Sequence, residues 1–397
     1  MKWGTLASAV VLATAVGTIA PGSGSVAAQK QNSAGGATKW AERTGWGDPD
    51  LQGKWSVAET GTPMERPKEF ANREFLTDKE VADRVAALTR SAPPAEGGGA
   101  DPAFPELKKT APAHEKGIRG EEYNRFWVDG GPRQVTPWKR TSLVVDPPDG
   151  RIPPLTPEAI RRLEAREAAR SGRGEADGWE DRNLSERCLL TAFVRFFQEG
   201  KDSIREIIQA PGYVGIMVAT LNSNDPIIVP LDGRSRPADN VRSWLGISRG
   251  RWEGNTLVVE TTHINDQQDG GPVMPSRLPF GMPGGSHLGP GDTVRFVERF
   301  TRVSPDMIEY SYTIDDPKTY VRPYTVLRPL TRMPDDYLMP ENACHEGNYG
   351  IVGQLSAGRA DEAYALKASQ AETDQRRPQL QEMKRKTEEW MKTHGQR

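Results

Sequence analysis

Glu298 is the residue whose setting most invites chemistry. Between Asp292 and Val303 a two-residue alternation puts it on one face with Val294, Phe296 and Phe300. A carboxylate on an apolar face is costly unless its charge is compensated. It is therefore either half of a structural pair with an arginine such as Arg322, or an acid/base group tuned by its surroundings. Asp315-Asp316-Pro317 adds two carboxylates at a strand end, near Arg322 on the returning strand. Ordinary turn chemistry, with Asp before Pro, would also explain that pair. Cys344-His345-Glu346 brings a histidine and a carboxylate beside a cysteine, but no second histidine follows at the spacing of a zinc protease helix. His345 is then either an acid/base group or a ring packed against a disulfide. The catalytic candidates are Glu298, His345, Asp315 and Glu346: the first two exchange the proton, Asp315 or Glu346 orients, and Arg322 holds an anionic group. Substrate-binding candidates are Arg322, Tyr312, Trp244, Trp252 and Tyr123, and no metal site is expected.

Gly246-Ile247-Ser248-Arg249-Gly250 matches the G-x-S-x-G pattern of serine hydrolases. A nucleophile elbow needs a helix directly after the serine. Here Arg251-Trp252-Glu253-Gly254 runs into a hairpin instead. Read as a strand, Trp244, Gly246, Ser248, Gly250 and Trp252 share a face, leaving room for a ligand or another backbone between two tryptophans. His263 ends a strand without metal-like spacing and is expected to be solvated. No phosphate loop or dinucleotide fingerprint is present, so no cofactor is expected. The cluster Tyr123-Asn124-Arg125-Phe126-Trp127 plugs one end of the fold or lines a pocket. Charge is balanced, 52 Lys+Arg against 54 Asp+Glu. Nothing in that balance suits nucleic acid.

These groups need a scaffold, and the chain offers a turn-rich β one. Its 397 residues carry 40 glycines and 32 prolines, too many for a helical bundle. Strands are expected at Gly53–Trp55, Arg140–Val145, Ile204–Gln209, Tyr213–Thr220, Ile227–Leu231, Trp244–Trp252, Thr256–His263, Thr293–Val303, Met307–Asp315 and Thr319–Arg328. Most are joined by tight turns, among them Ala210-Pro211-Gly212, Glu253-Gly254-Asn255 and Ser304-Pro305-Asp306. Such a set must hide its edges, and closing is the economical way. The expected fold is mainly β, an antiparallel barrel-like (lipocalin-like) or strongly curved sheet with peripheral helices and a helical C-terminus. Thr77-Asp78-Lys79-Glu80 has capping-box spacing ahead of one helix, and Thr156-Pro157 opens another over Glu158–Ala169. The last helix is expected over Pro378–Lys392.

Met1-Lys2-Trp3, an apolar run from Leu6 to Ala20 and the small residues Val26-Ala27-Ala28 form the tripartite pattern of a cleaved export signal. That run is shorter than the ~20 residues needed to span a bilayer. The expected order is a signal peptide over 1–28, a disordered linker over 29–45, one β-rich domain over 46–350 with a flexible insertion near 91–115, and a helical segment over 351–397. Export to the periplasm or the medium makes a disulfide between the two cysteines, Cys188 and Cys344, the expected state, with a reactive or metal-bound thiol as the rival. Such a bridge would stabilise by roughly 5 kcal/mol through loop closure.

The segments Arg140-Thr141-Ser142-Leu143-Val144-Val145-Asp146-Pro147-Pro148-Asp149-Gly150, Ser185-Glu186-Arg187-Cys188, Ser248-Arg249-Gly250-Arg251-Trp252-Glu253-Gly254, Glu298-Arg299-Phe300-Thr301-Arg302-Val303, Asp315-Asp316-Pro317 and Ala343-Cys344-His345-Glu346-Gly347-Asn348-Tyr349 are spread over residues 50–350. Together they resemble a family of exported bacterial proteins to which no reaction is assigned, so the resemblance implies export but no catalytic roles. Relatives commonly carry His where Arg236 stands and Asp where Ile247 stands. The expected activity is binding of a small, partly apolar molecule, with a cofactor-independent lyase, hydratase or isomerase step through carboxylate and histidine. The alternatives are a non-catalytic carrier and a hydrolase acting through Ser248. Oligomeric state is left open.

Overall fold

Alternation is the rule that builds this protein. In Arg295–Ser304 every second residue is buried, from Phe296 through Glu298 and Phe300 to Arg302. Met307–Asp315 buries its even-numbered positions in the same way, whereas Tyr324–Arg332 is buried on both faces from Val326 to Thr331. Strands with this pattern need a partner on one face only, and antiparallel pairing supplies it. The computed structural model describes residues 40, 42–91, 135–170, 177–179, 187–188, 204–218, 226–265, 293–337, 339, 349–362 and 368–395. All of these lie in the unit Thr38–Arg397. Residues 1–28, expected as an export signal, most of the expected linker over 29–45, most of the expected insertion, and Tyr123, Cys344, His345 and Glu346 fall outside the described residues.

In chain order the elements are β1 (Gly53–Val57), α1 (Asp78–Ser91), β2 (Val144–Asp146), α2 (Pro157–Arg170), β3 (Arg205–Ala210), β4 (Tyr213–Val218), β5 (Ile227–Pro230), β6 (Ile247–Glu253), β7 (Thr256–Thr262), β8 (Arg295–Ser304), β9 (Met307–Asp315), β10 (Tyr324–Arg332), α3 (Tyr349–Glu362) and α4 (Ala368–His394). Nine strands hydrogen-bond in the order β5-β4-β3-β1-β10-β9-β8-β7-β6, and β2 shares the β1 side of β10. Every ladder is antiparallel. The two ends of this path, β5 and β6, meet. The sheet is thus a nearly closed barrel-like wall, as the strand count and the need to cover edges lead one to expect.

Gly250 on β6 makes the closure possible. A Cβ there would sit 2.6 Å from Leu231 Cδ2 and 2.7 Å from Val229 Cγ1, so the side chains of the β5 end occupy the space a larger residue would need. The room expected between two tryptophans is filled in this way. Trp244 does not join that face, because β6 begins only at Ile247, after a turn in which Gly246 holds φ +69°.

The interior is apolar and aromatic, with Trp55, Phe296, Phe300, Tyr310, Tyr312 and Tyr324 among its largest buried side chains. Burying each such side chain contributes roughly 1.5–3 kcal/mol of transfer free energy. Beside β10 the chain is tied down through β2: Leu143 N and Val144 N donate to the carbonyls of Pro63 and Met64, and Leu327 N donates to Leu143 O. The helices pack at the margins. Thr156 caps α2 by accepting from Ala159 N at 3.1 Å, and α4 docks on α2, where Thr387 Oγ1 donates to Leu155 O at 2.8 Å. The capping box of α1 forms reciprocally, Glu80 N to Thr77 Oγ1 and Thr77 N to Glu80 Oε2.

Besides β6, three boundaries differ from the sequence expectation, the first being β2, expected over Arg140–Val145 and found over Val144–Asp146. The last strand starts at Tyr324 rather than Thr319, because Thr319 N and Tyr320 N both bond to Asp316 O and hold that stretch in a turn. It then runs through Pro329, whose carbonyl accepts Ala58 N, to Arg332. The final helix starts ten residues before Pro378, at Ala368, and carries that proline inside it.

Candidate functional site

Glu298 sits at the middle of β8, fully buried and facing into the barrel. Its ladder neighbours are Val259 on β7 and Tyr312 on β9, so the row running across the inner wall reads Gly250, Val259, Glu298, Tyr312, Val326. The next row reads Trp252, Leu257, Phe300, Tyr310, Arg328. Direct cross-strand neighbours hold their Cβ atoms about 4.5–5.5 Å apart, so the Glu298 carboxylate and the Tyr312 ring rise side by side.

Tyr310 Oη donates to Glu298 Oε1 at 2.9 Å. Arg328, also buried, stands opposite Tyr310 on β10 and adds a positive charge to the same inner face. Phe296, Tyr312, Tyr310 and Phe300 form a continuous run of rings, with successive centroids 5.6, 5.8 and 4.9 Å apart. Burial pushes the Tyr312 phenol up to about 12, with Arg328 pulling weakly the other way, so at neutral pH it is a proton donor. Yet its hydroxyl has no hydrogen-bond partner among the described residues, and neither does the indole N–H of Trp252 on the same inner face. Buried polar groups are nearly always paired, so two unpaired donors on one wall mark a place for an acceptor.

Toward one end of the wall lies a second polar group. Asp316 is buried and accepts from Thr293 Oγ1 at 3.2 Å. Beside it Tyr320 and Tyr324 pack edge to face at 5.1 Å, and burial raises both phenols well above their usual range.

The structure separates several residues that the sequence groups together. Asp315 is the outward-facing member of its pair, opposite Arg295, while Asp316 points inward. Arg322 lies at the surface and donates to Asp146 Oδ1 at 3.2 Å, so the arginine opposite this aromatic row is Arg328 rather than Arg322. Trp252 faces inward and Trp244 lies in the turn before β6. Ser248 shares a hydrogen bond with Thr261 at 2.8 Å inside a strand that continues to Glu253, without the strand-to-helix turn of a nucleophile elbow. His263, expected in solvent, is instead half-buried, with φ +59°, Nδ1 2.7 Å from Thr262 Oγ1 and Nε2 3.5 Å from Asp239 Oδ1.

On the outside of the same strands, Glu260 bridges Arg236 and Arg295, and Glu253 bridges Arg251 and Arg299. Hydrogen bonds from Arg295 and from Arg299 hold these two carboxyls below the usual carboxylate range. Among the described residues no cluster of three or more His, Cys, Asp or Glu could hold a metal ion, and no helix is long and apolar enough to cross a membrane.

Tyr310 and Arg328 were missed by sequence reasoning, and of the Asp315-Asp316 pair it chose the outward-facing member. The cue was available for Tyr310: the alternation of β9 places it on the buried face just as that of β8 places Glu298, whereas β10 is buried on both faces and does not single out Arg328. Asp316 gave no such cue, since its burial depends on the turn that follows β9. The chain matches no family model, no curated protein and no solved structure.

Proposed function

We propose that this is an exported barrel-like protein that takes up a small, partly apolar molecule against the inner wall of β7–β10, and that Glu298 gives it acid/base capability. The observation carrying this reading is the fully buried Glu298 carboxylate, hydrogen-bonded by Tyr310 and flanked by a Tyr312 hydroxyl with no partner among the described residues. A side chain that only filled space at that position would be aliphatic. A buried carboxylate kept among four aromatic rings costs stability unless its charge is used. Export and a Cys188–Cys344 bridge belong to the same reading, as does membership of the exported family that the sequence resembles.

The test is titration of the oxidised protein with the neutral apolar fluorophore N-phenyl-1-naphthylamine. Saturable binding at one site, with an affinity changed at least threefold in Glu298→Gln, supports the reading. No saturable binding, or binding indifferent to that substitution in a variant with unchanged circular dichroism, overturns it. Intact mass before and after reduction and alkylation reports the bridge, and cell fractionation reports export.

A further inference from the structure

We propose that the molecule bound at this wall is an apolar carbonyl compound, and that the protein enolises it, with Glu298 removing the α-proton and Tyr312 donating to the carbonyl oxygen. This rests on the reading above and adds a substrate class and a role for each group.

The argument starts from register. Glu298 and Tyr312 are direct ladder partners, so a base and a hydroxyl donor stand next to each other on one face, at a spacing of about 5 Å between Cβ atoms. Enolisation needs this pair: a base at the α-carbon and a donor at the oxygen two bonds away. The Tyr312 hydroxyl is buried and donates to nothing among the described residues, so it is available to an incoming oxygen. Tyr310 already donates to Glu298 Oε1, which leaves the two tyrosines with separate tasks. Tyr310 positions the carboxylate, and Tyr312 meets the ligand. Arg328 on the same face offsets the negative charge that passes from Glu298 to the enolate. The walls around the pair, Val259, Val326, Phe296 and Phe300, are apolar, which suits the hydrocarbon body of the substrate and excludes water from the proton transfer. The high proton affinity of the buried phenol keeps Tyr312 a donor throughout.

The step balances without a further reagent. The α C–H bond breaks and its proton goes to a Glu298 oxygen. The electron pair forms the C=C bond as the C=O bond becomes C–O⁻. The enolate oxygen takes the Tyr312 hydrogen bond. Return of the same proton regenerates the ketone, return of a deuteron after the Glu298 proton has been traded with solvent gives exchange, and return to a conjugated carbon gives isomerisation.

The test uses 2-tetralone, an apolar bicyclic ketone, in deuterated buffer with the oxidised full-length protein, and follows loss of its α-proton signals by NMR. Exchange faster than in buffer is expected. Glu298→Gln, which keeps an oxygen for Tyr310, should return the rate to that of buffer, and Glu298→Asp should restore part of it. Tyr312→Phe should slow exchange at least tenfold while changing 2-tetralone affinity less than threefold. Tyr310→Phe should move the pH profile of exchange. Binding of the fluorophore and of 2-tetralone without accelerated exchange, or exchange unaffected by Glu298→Gln, overturns the enolisation and leaves the binding reading intact. Failure of both ligands to bind overturns the two together.

Discussion

Replacing Tyr310 and Tyr312 by phenylalanine, one at a time, should move stability in opposite directions. The two residues lie two apart on β9, face the same interior and are both buried. Their rings make comparable contacts, at 4.9 Å to Phe300 and 5.6 Å to Phe296, and phenylalanine keeps both. What differs is the hydroxyl. Tyr310→Phe removes the 2.9 Å donor to Glu298 Oε1 and leaves a buried carboxylate oxygen short of it. Hydrogen bonds to charged groups contribute about 1.5–3 kcal/mol, so the loss should be near 2 kcal/mol. Tyr312→Phe removes a hydroxyl without a hydrogen-bond partner among the described residues. Burying such a group costs roughly 1–3 kcal/mol, and some is returned as dispersion contacts, so the variant should be unchanged or more stable by up to about 1 kcal/mol. Equilibrium urea unfolding of the oxidised protein, followed by tryptophan fluorescence, reads both from the midpoint when the slope is constant. Equal losses in the two variants, or a Tyr312→Phe loss above about 1 kcal/mol, would mean that the hydroxyl has a partner and would remove the basis for its role toward a ligand.

The seam between β5 and β6 should be intolerant of a single methyl group. Gly250→Ala brings a Cβ within 2.7 Å of Val229 and Leu231 and should cost about 1–3 kcal/mol of unfolding free energy, measured by denaturant titration. Gly246→Ala should cost more than Gly250→Ala in the same titration, since φ is +69° and the new Cβ would lie 2.6 Å from the Thr262 carbonyl oxygen, which is backbone and cannot swing away. Tyr312 holds its proton to about pH 12 in the fold but releases it at the ordinary value of 10.0 once unfolded. Its contribution is therefore full below pH 10 and lost as pH rises through 12, so alkaline unfolding should coincide with the phenolate absorbance step, and a smooth tyrosinate titration with the fold retained at pH 12 would contradict it. Arg302 lies 4.1 Å from the Trp40 ring and 5.2 Å from that of Trp55 while donating to the carbonyls of Asp50, Ser304 and Pro305. Lysine has no planar fork to repeat that arrangement, so Arg302→Lys should lower the thermal midpoint by an amount equivalent to about 2 kcal/mol, and an unchanged midpoint would show the stacking to be idle.

Much of the wall could be read from the chain because it rests on local rules. Strand alternation, turn dipeptides and the capping residues Thr77 and Thr156 each act over a few residues, and β3, β4, β7, β8 and β9 fall close to where those rules put them. Boundaries shifted where distant parts intervened. The turn at Asp316 delays β10, and a left-handed glycine at 246 cuts Trp244 away from β6.

For the site, the amino-acid sequence alone determined that Glu298 faces an apolar interior, because a side chain's face follows from counting by two along its own strand. It could not determine which cation shares that face. Arg322 and Arg328 are both near in sequence, and only the register of β10 on β9 puts Arg328 inside and leaves Arg322 to Asp146 at the surface. Nor could it tell that Tyr310 bonds Glu298 while the Tyr312 hydroxyl has no partner among the described residues, since that depends on contacts between neighbouring strands. Periodicity is a property of one strand, whereas register belongs to a pair, and the chemistry of this wall is set by pairs.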